Sequence, residues 1–155
     1  MELKEADKQE LETLVELWFS LAKGMEKYSD LNRLIYESEN EVDKEEFLNQ
    51  LEDENYTFYL IREKEETIGY TKLEQGRNPS REFSDHTRIV EIFIKKDYRN
   101  KGFGSKTIEE VKQIASNEGS DHLKISSEWD NRGARRLYKR EGFEEKQVSF
   151  VHKLD

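Results

Sequence analysis

The chain has 155 residues, 39% of them charged, and a net charge of −9 at pH 7. This length suits one domain with a buried core, here residues 1–155, and its 2 tryptophans, 7 tyrosines and 8 phenylalanines argue against disorder. The absence of cysteine excludes disulfides, thiolate metal sites and a cysteine nucleophile. No apolar stretch reaches the roughly 18 residues of a membrane span, and no signal peptide is evident, so we expect a cytoplasmic protein.

The charge is unevenly distributed along the chain. Residues 1–78 hold 10 Lys/Arg and 21 Asp/Glu, whereas residues 79–155 hold 16 and 14. The acidic half would repel nucleic acid and attract a cationic partner. Solubility alone explains the acidic excess equally well.

The first half of the chain predicts a strand, two helices and a hairpin. Leu11, Leu14 and Trp18 follow helical spacing, and Gly24 is expected to end that helix. Asp43 with Glu46 has a capping-box pattern that opens a second helix. The predicted bounds are a strand at 2–6, a helix at 8–23, an ambiguous stretch at 28–41, a helix from 43 to about 51, and strands at 56–62 and 67–74.

The second half alternates strands and helices after a loop at 76–86. Val148 and Phe150 alternate with Ser149 and predict a last strand, while Gly142 is expected to cap the helix before it. The predicted bounds are strands at 88–95, 122–127 and 143–153 and helices at 105–118 and 131–141. The order of elements indicates a mixed α/β sheet with helices on both faces.

The junction Arg99-Asn100-Lys101-Gly102-Phe103-Gly104 predicts a site for phosphate. It lies between a strand and a helix, whose unpaired N–H groups and dipole attract anions. The two glycines permit close approach and unusual dihedral angles, and the two basic residues add positive charge. A P-loop motif is absent, and Thr107 replaces the third glycine of a dinucleotide-binding motif. A purely structural turn is the remaining alternative.

A second motif runs from Asn131 through Ala134, Leu137 and Tyr138 to Gly142-Phe143. With the first motif it resembles the two signature motifs of the GNAT family of N-acetyltransferases, and Glu91-Ile92-Phe93-Ile94 resembles that family's fourth strand. The resemblance covers roughly residues 87–143. It implies an α/β (α+β) fold with a mixed, mostly antiparallel central sheet of six to seven strands and helices on both faces.

The resemblance also implies acetyl-CoA as co-substrate, and no metal. Main-chain groups of Ile92 and Ile94 in the fourth strand would face the pantetheine arm, and an N–H near Ile92 or Phe93 would polarise the thioester carbonyl. Asn131 would bind the pantetheine amide, although it is also a good helix N-cap. The expected pyrophosphate ligands are Arg99, Asn100, Lys101, Gly102, Phe103, Gly104 and Ser105. Asn100 stands where the family often has glycine, and asparagine tolerates the left-handed conformation.

Two side chains are expected to be catalytic. By the resemblance, Tyr138 is the general acid that protonates the departing thiolate; its alternative role is to pack the last helix against the sheet. Glu91 is the best candidate for the base that deprotonates the amine, and Glu128 is the second candidate. The alternative for Glu91 is a solvent-facing carboxylate, or one paired with Arg88.

We therefore expect an N-acetyltransferase acting on a primary amine of a small molecule or peptide, of cationic character, by direct attack. Nucleic acid and membrane are not expected as partners, and a homodimer is left open. The acceptor would be selected by residues 24–41 and 76–86, which carry no readable motif. A coenzyme A sensor and a nucleotide-binding interaction domain are alternatives.

Two further sets of side chains bear on ligand binding. The last helix has a basic face that comprises Arg132, Arg135, Arg136 and Lys139. This face either binds a ribose phosphate or faces solvent, and its position near the end of the helix favours solvent. The three histidines, His86, His122 and His152, have no ligand spacing, so no metal site is predicted.

Overall fold

A five-stranded sheet forms the centre of the protein, whose computed structural model describes all 155 residues. The strands lie in chain order; β1 to β4 are antiparallel, and β5 runs parallel to β4. The strands are β1 Glu2–Glu5, β2 Tyr56–Glu63, β3 Glu66–Gly76, β4 His86–Ile94 and β5 His122–Ile125. The helices are α1 Leu11–Met25, α2 Glu45–Glu52, α3 Phe103–Asn117 and α4 Arg132–Arg140. None of these helices is long and apolar enough to cross a membrane.

The two faces of the sheet carry separate hydrophobic cores. On one face, Leu14 of α1 packs with Phe58 and Tyr70 of the hairpin. On the other, Val111 of α3 packs with Leu73 and Ile89. Neighbouring strand residues contribute to opposite cores because side chains alternate across a sheet. The predicted mixed α/β fold with helices on both faces is confirmed.

Strand β4 is the element that opens the sheet. It pairs with β5 only from His86 to Ile89, and its remaining residues have no neighbouring strand on that side. The β3–β4 register shifts at Lys72/Leu73, which leaves Val90 as the extra residue of a bulge. A bulge bends its strand, so β4 diverges from β5 and leaves one main-chain edge free.

The hydrogen bonds to β3 show which residues of β4 use that free edge. Lys95 N–H donates to Ile68 O at 2.7 Å, and the Thr71 hydroxyl donates to Glu91 O at 2.9 Å. Main-chain groups of successive strand residues point to opposite sides. Odd-numbered residues of this stretch therefore face β3, and the N–H and C=O groups of Ile92 and Ile94 face the gap.

Several helix bounds differ from the prediction. Helix α2 begins at Glu45 with Lys44 as its N-cap, so the capping box predicted from Asp43 and Glu46 is wrong. Helix α1 continues through Gly24 to Met25, because an isolated glycine weakens a helix without ending it. Helix α3 begins at Phe103, two residues early, because Gly102 adopts φ +86° and serves as its N-cap. Gly142, at φ +96°, follows α4 as expected.

The predicted last strand at 143–153 is wrong, and the sheet has five strands instead of six to seven. Residues 143–155 have no regular secondary structure, and Phe150 is 92% exposed. Glu145 pairs with Arg135 and Lys139 of α4 at 3.0 and 2.9 Å, so the segment follows that helix. Alternation of apolar residues predicts a strand only where a neighbouring strand is available for pairing.

Candidate active site

Two adjoining cavities open beside the free edge of β4. The larger, about 500 Å³, is the glycine groove; the smaller, about 320 Å³, is the glutamate cavity. The glycine groove takes in nearly all predicted cofactor residues, namely Ile92, Phe93, Ile94, Arg99, Asn100, Gly102, Phe103, Gly104, Ser105, Asn131 and Tyr138. The glutamate cavity is defined by Trp18, Asn32, Val90, Glu91, Glu128 and Tyr138, among others.

The start of α3 gives the glycine groove its affinity for anions. No side chain caps this helix, so the N–H groups of Phe103, Gly104 and Ser105 have no intrahelical acceptor. A Cβ built on Gly102 would meet nothing within 4 Å, so the space beside the main chain is open. Asn100 adopts φ +61°, as its tolerance of this conformation allows. These features fit a pyrophosphate group.

The two glycines have different roles. Only Gly102 needs a positive φ; Gly104 lies in the first turn of α3 with ordinary helical geometry. A Cβ at Gly104 would come to 3.0 Å from Leu137 Cδ2. The glycines permit unusual dihedral angles at both positions, but only Gly102 adopts one, whereas Gly104 lets α4 pack closely against α3.

The basic residues around the groove divide into two sets. Arg99 Nε donates to Ile94 O at 2.8 Å, and Arg136 lines the groove. Arg140 lines it too, one turn beyond Arg136 on the same helix face, a spacing that the sequence analysis overlooked. Lys101 lies outside the groove, with its ammonium 5.8 Å from the Tyr98 ring centroid.

The outer part of the predicted basic face is occupied by other contacts. Arg135 stacks on Trp129, 3.9 Å from the ring centroid, and pairs with Glu145. Lys139 pairs with the same carboxylate. Of the four residues on that face, only Arg136 reaches the glycine groove.

Asn131 lies where the two cavities meet and caps α4. Its Oδ1 accepts from Ala134 N–H at 3.2 Å. Capping uses only the carbonyl oxygen, so the amide NH₂ can still donate to a ligand. The two roles considered for Asn131 are therefore compatible.

Tyr138 also lies at the junction of the two cavities. Burial raises the pKa of its hydroxyl to about 12. The hydroxyl is therefore protonated at neutral pH and can donate a proton. The ring packs edge-on against Phe143, with centroids 6.0 Å apart, so the side chain contributes to packing as well.

Glu91 is largely buried in the glutamate cavity. Burial raises the pKa of its carboxyl above the ordinary value, although the Lys72 charge and hydrogen bonds from Tyr70 and Trp18 act in the opposite direction. The Tyr70 hydroxyl donates to Glu91 Oε1 at 3.0 Å. Arg88 pairs instead with Glu74, at 2.9 Å, so Glu91 is neither solvent-facing nor paired with Arg88.

Glu128, after β5, is the second carboxylate of the cavity. Asn32 Nδ2 donates to Glu128 Oε1 at 2.8 Å and to Met25 O at 3.0 Å. This contact ties the segment after α1 to the loop before α4. Sequence reasoning missed Asn32 because its stretch has only an ambiguous pattern and no motif, and it treated Trp18 only as a core residue of α1.

The histidines form no candidate metal centre. His86 and His122 are the first residue pair of the β4–β5 ladder, and their rings stack at 5.2 Å. No sequence pattern indicates this proximity. No group of three or more potential ligands is present anywhere in the described chain.

Comparison with known proteins identifies relatives of the chain. It is 25% identical over 146 residues to the uncharacterised N-acetyltransferase MJ1207 of Methanocaldococcus jannaschii, covering 94% of this chain and 62% of that protein. It is 31% identical over 106 residues to the uncharacterised N-acetyltransferase YhfO of Bacillus subtilis, covering 66% of this chain and 68% of that protein. The chain thus spans less than two thirds of the MJ1207 protein's length.

The fold and a family profile agree with these relatives. The solved tetramutant of the BH1408 protein from Bacillus halodurans superposes with a TM-score of 0.85 at 18% identity, covering 99% of this chain and 100% of that one. The profile of the Acetyltransferase (GNAT) family matches residues 24–143, most of the chain. The protein belongs to the GNAT acetyltransferase family.

Proposed function

We propose that this protein transfers an acetyl group from acetyl-CoA to a primary amine by direct attack. The observation that carries the proposal is the junction of the two cavities. A groove suited to pyrophosphate and a cavity with a buried carboxylate meet at Ile92, Asn131 and Tyr138. Two substrates bound in these cavities would meet at that junction, where a proton donor is present.

The free edge of β4 is the expected binding surface for the pantetheine arm. The Ile92 and Ile94 main-chain groups point into the gap, as derived from the β3 hydrogen bonds. The Ile92 N–H is therefore favoured over that of Phe93 for polarising the thioester carbonyl. The thioester of acetyl-CoA supplies the activated acetyl group.

The protons are handled by Glu91 and Tyr138. A primary amine is mostly protonated at neutral pH and must lose a proton to become a nucleophile. Glu91, directly or through a water, accepts that proton before the amine attacks; its raised pKa brings it closer to the amine in basicity. The C–N bond then forms, and the attacking nitrogen gives up its second proton to solvent as the amide is produced. Tyr138 donates its hydroxyl proton to the sulfur as the C–S bond breaks and regains a proton from solvent before the next cycle.

The test is release of free thiol from acetyl-CoA in the presence of a panel of primary amines. Thiol release that depends on the amine, with an acetylated product seen by mass spectrometry, supports transfer. Acetyl-CoA binding without turnover on any amine would favour a coenzyme A sensor instead. No binding of acetyl-CoA would overturn the assignment of the glycine groove.

A further inference from the structure

The glutamate cavity combines hydrophobic walls with two carboxylates. Glu91 and Glu128 are the only charged residues that line it, and no lysine or arginine does. Its walls include Trp18, Leu21 and Met25 of α1. A carboxylate that loses water on ligand binding must be compensated by a donor or a positive charge. The cavity therefore suits a ligand with an apolar body and positively charged ends.

The size of the cavity restricts that ligand further. At about 320 Å³ it lies at the lower end of the range for small-molecule sites, roughly 300–1,000 Å³. A compact molecule fits such a volume better than a peptide segment does. The cavity joins the glycine groove at Tyr138, so one end of the ligand must reach that junction.

Glu128 is held in position by contacts that have no role in proton transfer. Asn32 Nδ2 divides its two N–H bonds between Glu128 Oε1 and Met25 O. A neutral amide fixes the carboxylate without neutralising it, and Oε2 remains available to accept from a ligand. Glu128 can therefore act as a binding group while Glu91 serves as the base.

We propose that the acceptor is a small diamine, with its reacting amine beside Glu91 and its second ammonium group paired with Glu128. This inference rests on the proposed function and adds the substrate class. The apolar chain between the two nitrogens contacts the α1 wall. Glu128 is then a specificity-determining residue that selects substrates with a second positive charge.

The test compares butanediamine with butylamine as acceptors for the full-length protein. The wild type is expected to show a kcat/KM about 10- to 100-fold higher for the diamine, mainly through KM, as a charge-assisted hydrogen bond provides. Glu128→Gln should reduce this ratio to within about twofold. Asp130→Asn is the matched control, because it removes a nearby exposed charge outside the cavity and should preserve the ratio.

The possible outcomes separate this inference from the proposed function. Turnover of both amines with equal kcat/KM overturns the diamine assignment and leaves acetyl transfer standing. An equal loss for both amines in Glu128→Gln, with a changed pH profile, would make Glu128 the base and overturn its binding role. A ratio lowered equally by Asp130→Asn would indicate general electrostatic attraction and overturn it too. If no amine causes thiol release, the proposed function itself is overturned.

Discussion

The glycine groove and the glutamate cavity share a wall but are built from different kinds of atoms. The groove draws its polar groups largely from the main chain of one continuous stretch, β4 to the start of α3. The cavity draws its polar groups from side chains far apart in sequence, such as Asn32, Glu91 and Glu128. Local geometry fixes the first set, whereas only the complete fold brings the second set together.

This difference has a functional meaning under the proposed reaction. A cofactor with the same chemistry in every cycle can be recognised by main-chain N–H groups, which every substitution except one to proline leaves in place. An acceptor specific to this protein must be recognised by side chains, which can change independently of the fold. Substitutions in the groove should therefore act on acetyl-CoA, and those in the cavity on the amine.

The largest effect is expected from Gly104→Val in the glycine groove. A Cβ there would come to 3.0 Å from Leu137 Cδ2, so the Leu137 side chain would have to shift, and the branched side chain would cover the N–H groups of α3. Because several charge-assisted hydrogen bonds would be lost together, acetyl-CoA affinity should fall about 1000-fold or more. Isothermal titration calorimetry measures it.

The matched control is Ser116→Val, an equally β-branched substitution on the exposed side of the same helix. It should leave acetyl-CoA affinity unchanged, and circular dichroism should show that both variants are folded. Wild-type affinity in a folded Gly104→Val protein would mean that the pyrophosphate binds elsewhere.

Tyr138→Phe should separate binding from catalysis at the junction of the two cavities. The ring keeps its packing on Phe143, so acetyl-CoA affinity should change little. Loss of the proton donor should lower kcat by about 10- to 1000-fold. Stopped-flow thiol release and calorimetry on the same preparation test this. Equal losses in affinity and rate would instead assign the tyrosine to packing.

The pH dependence of the wild type sharpens the same prediction. A tyrosine can no longer donate a proton once the pH rises above the pKa of its hydroxyl. For an ordinary tyrosine this loss of the donor would begin near pH 10. With the pKa of Tyr138 raised to about 12, its loss should not limit kcat below about pH 11. A descending limb near pH 10 that disappears in Tyr138→Phe would show that the hydroxyl ionises more easily than its burial implies.

The groove was the more predictable of the two regions. The spacing of Arg99, Gly102 and Gly104 between a strand and a helix predicts an anion site, because the groups that would contact the anion are close together in the sequence. The sequence could not separate Gly102, which needs its positive φ, from Gly104, which makes room for Leu137. That distinction depends on α4, which begins about thirty residues later.

The cavity and the C-terminal segment show where sequence patterns lose information. Glu91 could be predicted because it belongs to the strand that resembles the family's fourth strand, but Asn32 lies in a stretch with an ambiguous pattern and no motif. Its role exists only because the fold brings it to 2.8 Å from Glu128. Similarly, the alternation of apolar and polar residues at Val148 and Phe150 indicates strand propensity, but it does not show whether a neighbouring strand is available for pairing. The ion pairs of Glu145 instead hold that segment along α4.

Glu91→Gln tests the cavity side of the comparison. Because burial raises the pKa of Glu91, its base form is gained as pH rises through that raised value, and the rate should rise with it. Gln keeps the shape and can still bond Tyr70 but cannot accept a proton. At neutral pH kcat/KM should fall about 10- to 100-fold, with part of the activity returning at high pH, where the amine is already deprotonated.

The measurement is a pH–rate profile of both proteins at saturating acetyl-CoA. Acetyl-CoA affinity serves as the internal control, since it should be equal in the two proteins if groove and cavity act separately. A variant profile identical to that of the wild type would remove Glu91 from the mechanism and leave Glu128 as the remaining carboxylate in the cavity.

The smallest effect is expected from comparing Arg136→Ala with Lys101→Ala. Both remove one positive charge near the start of α3, but only Arg136 lines the glycine groove. Arg136→Ala should weaken acetyl-CoA about three- to tenfold, and less so at high salt, because a partly exposed charge is screened. Lys101→Ala should change affinity by less than about twofold, since that ammonium lies over the Tyr98 ring. Equal losses for the two variants would show that the groove attracts its ligand by net charge alone, and that its detailed geometry contributes less than the comparison with the glutamate cavity implies.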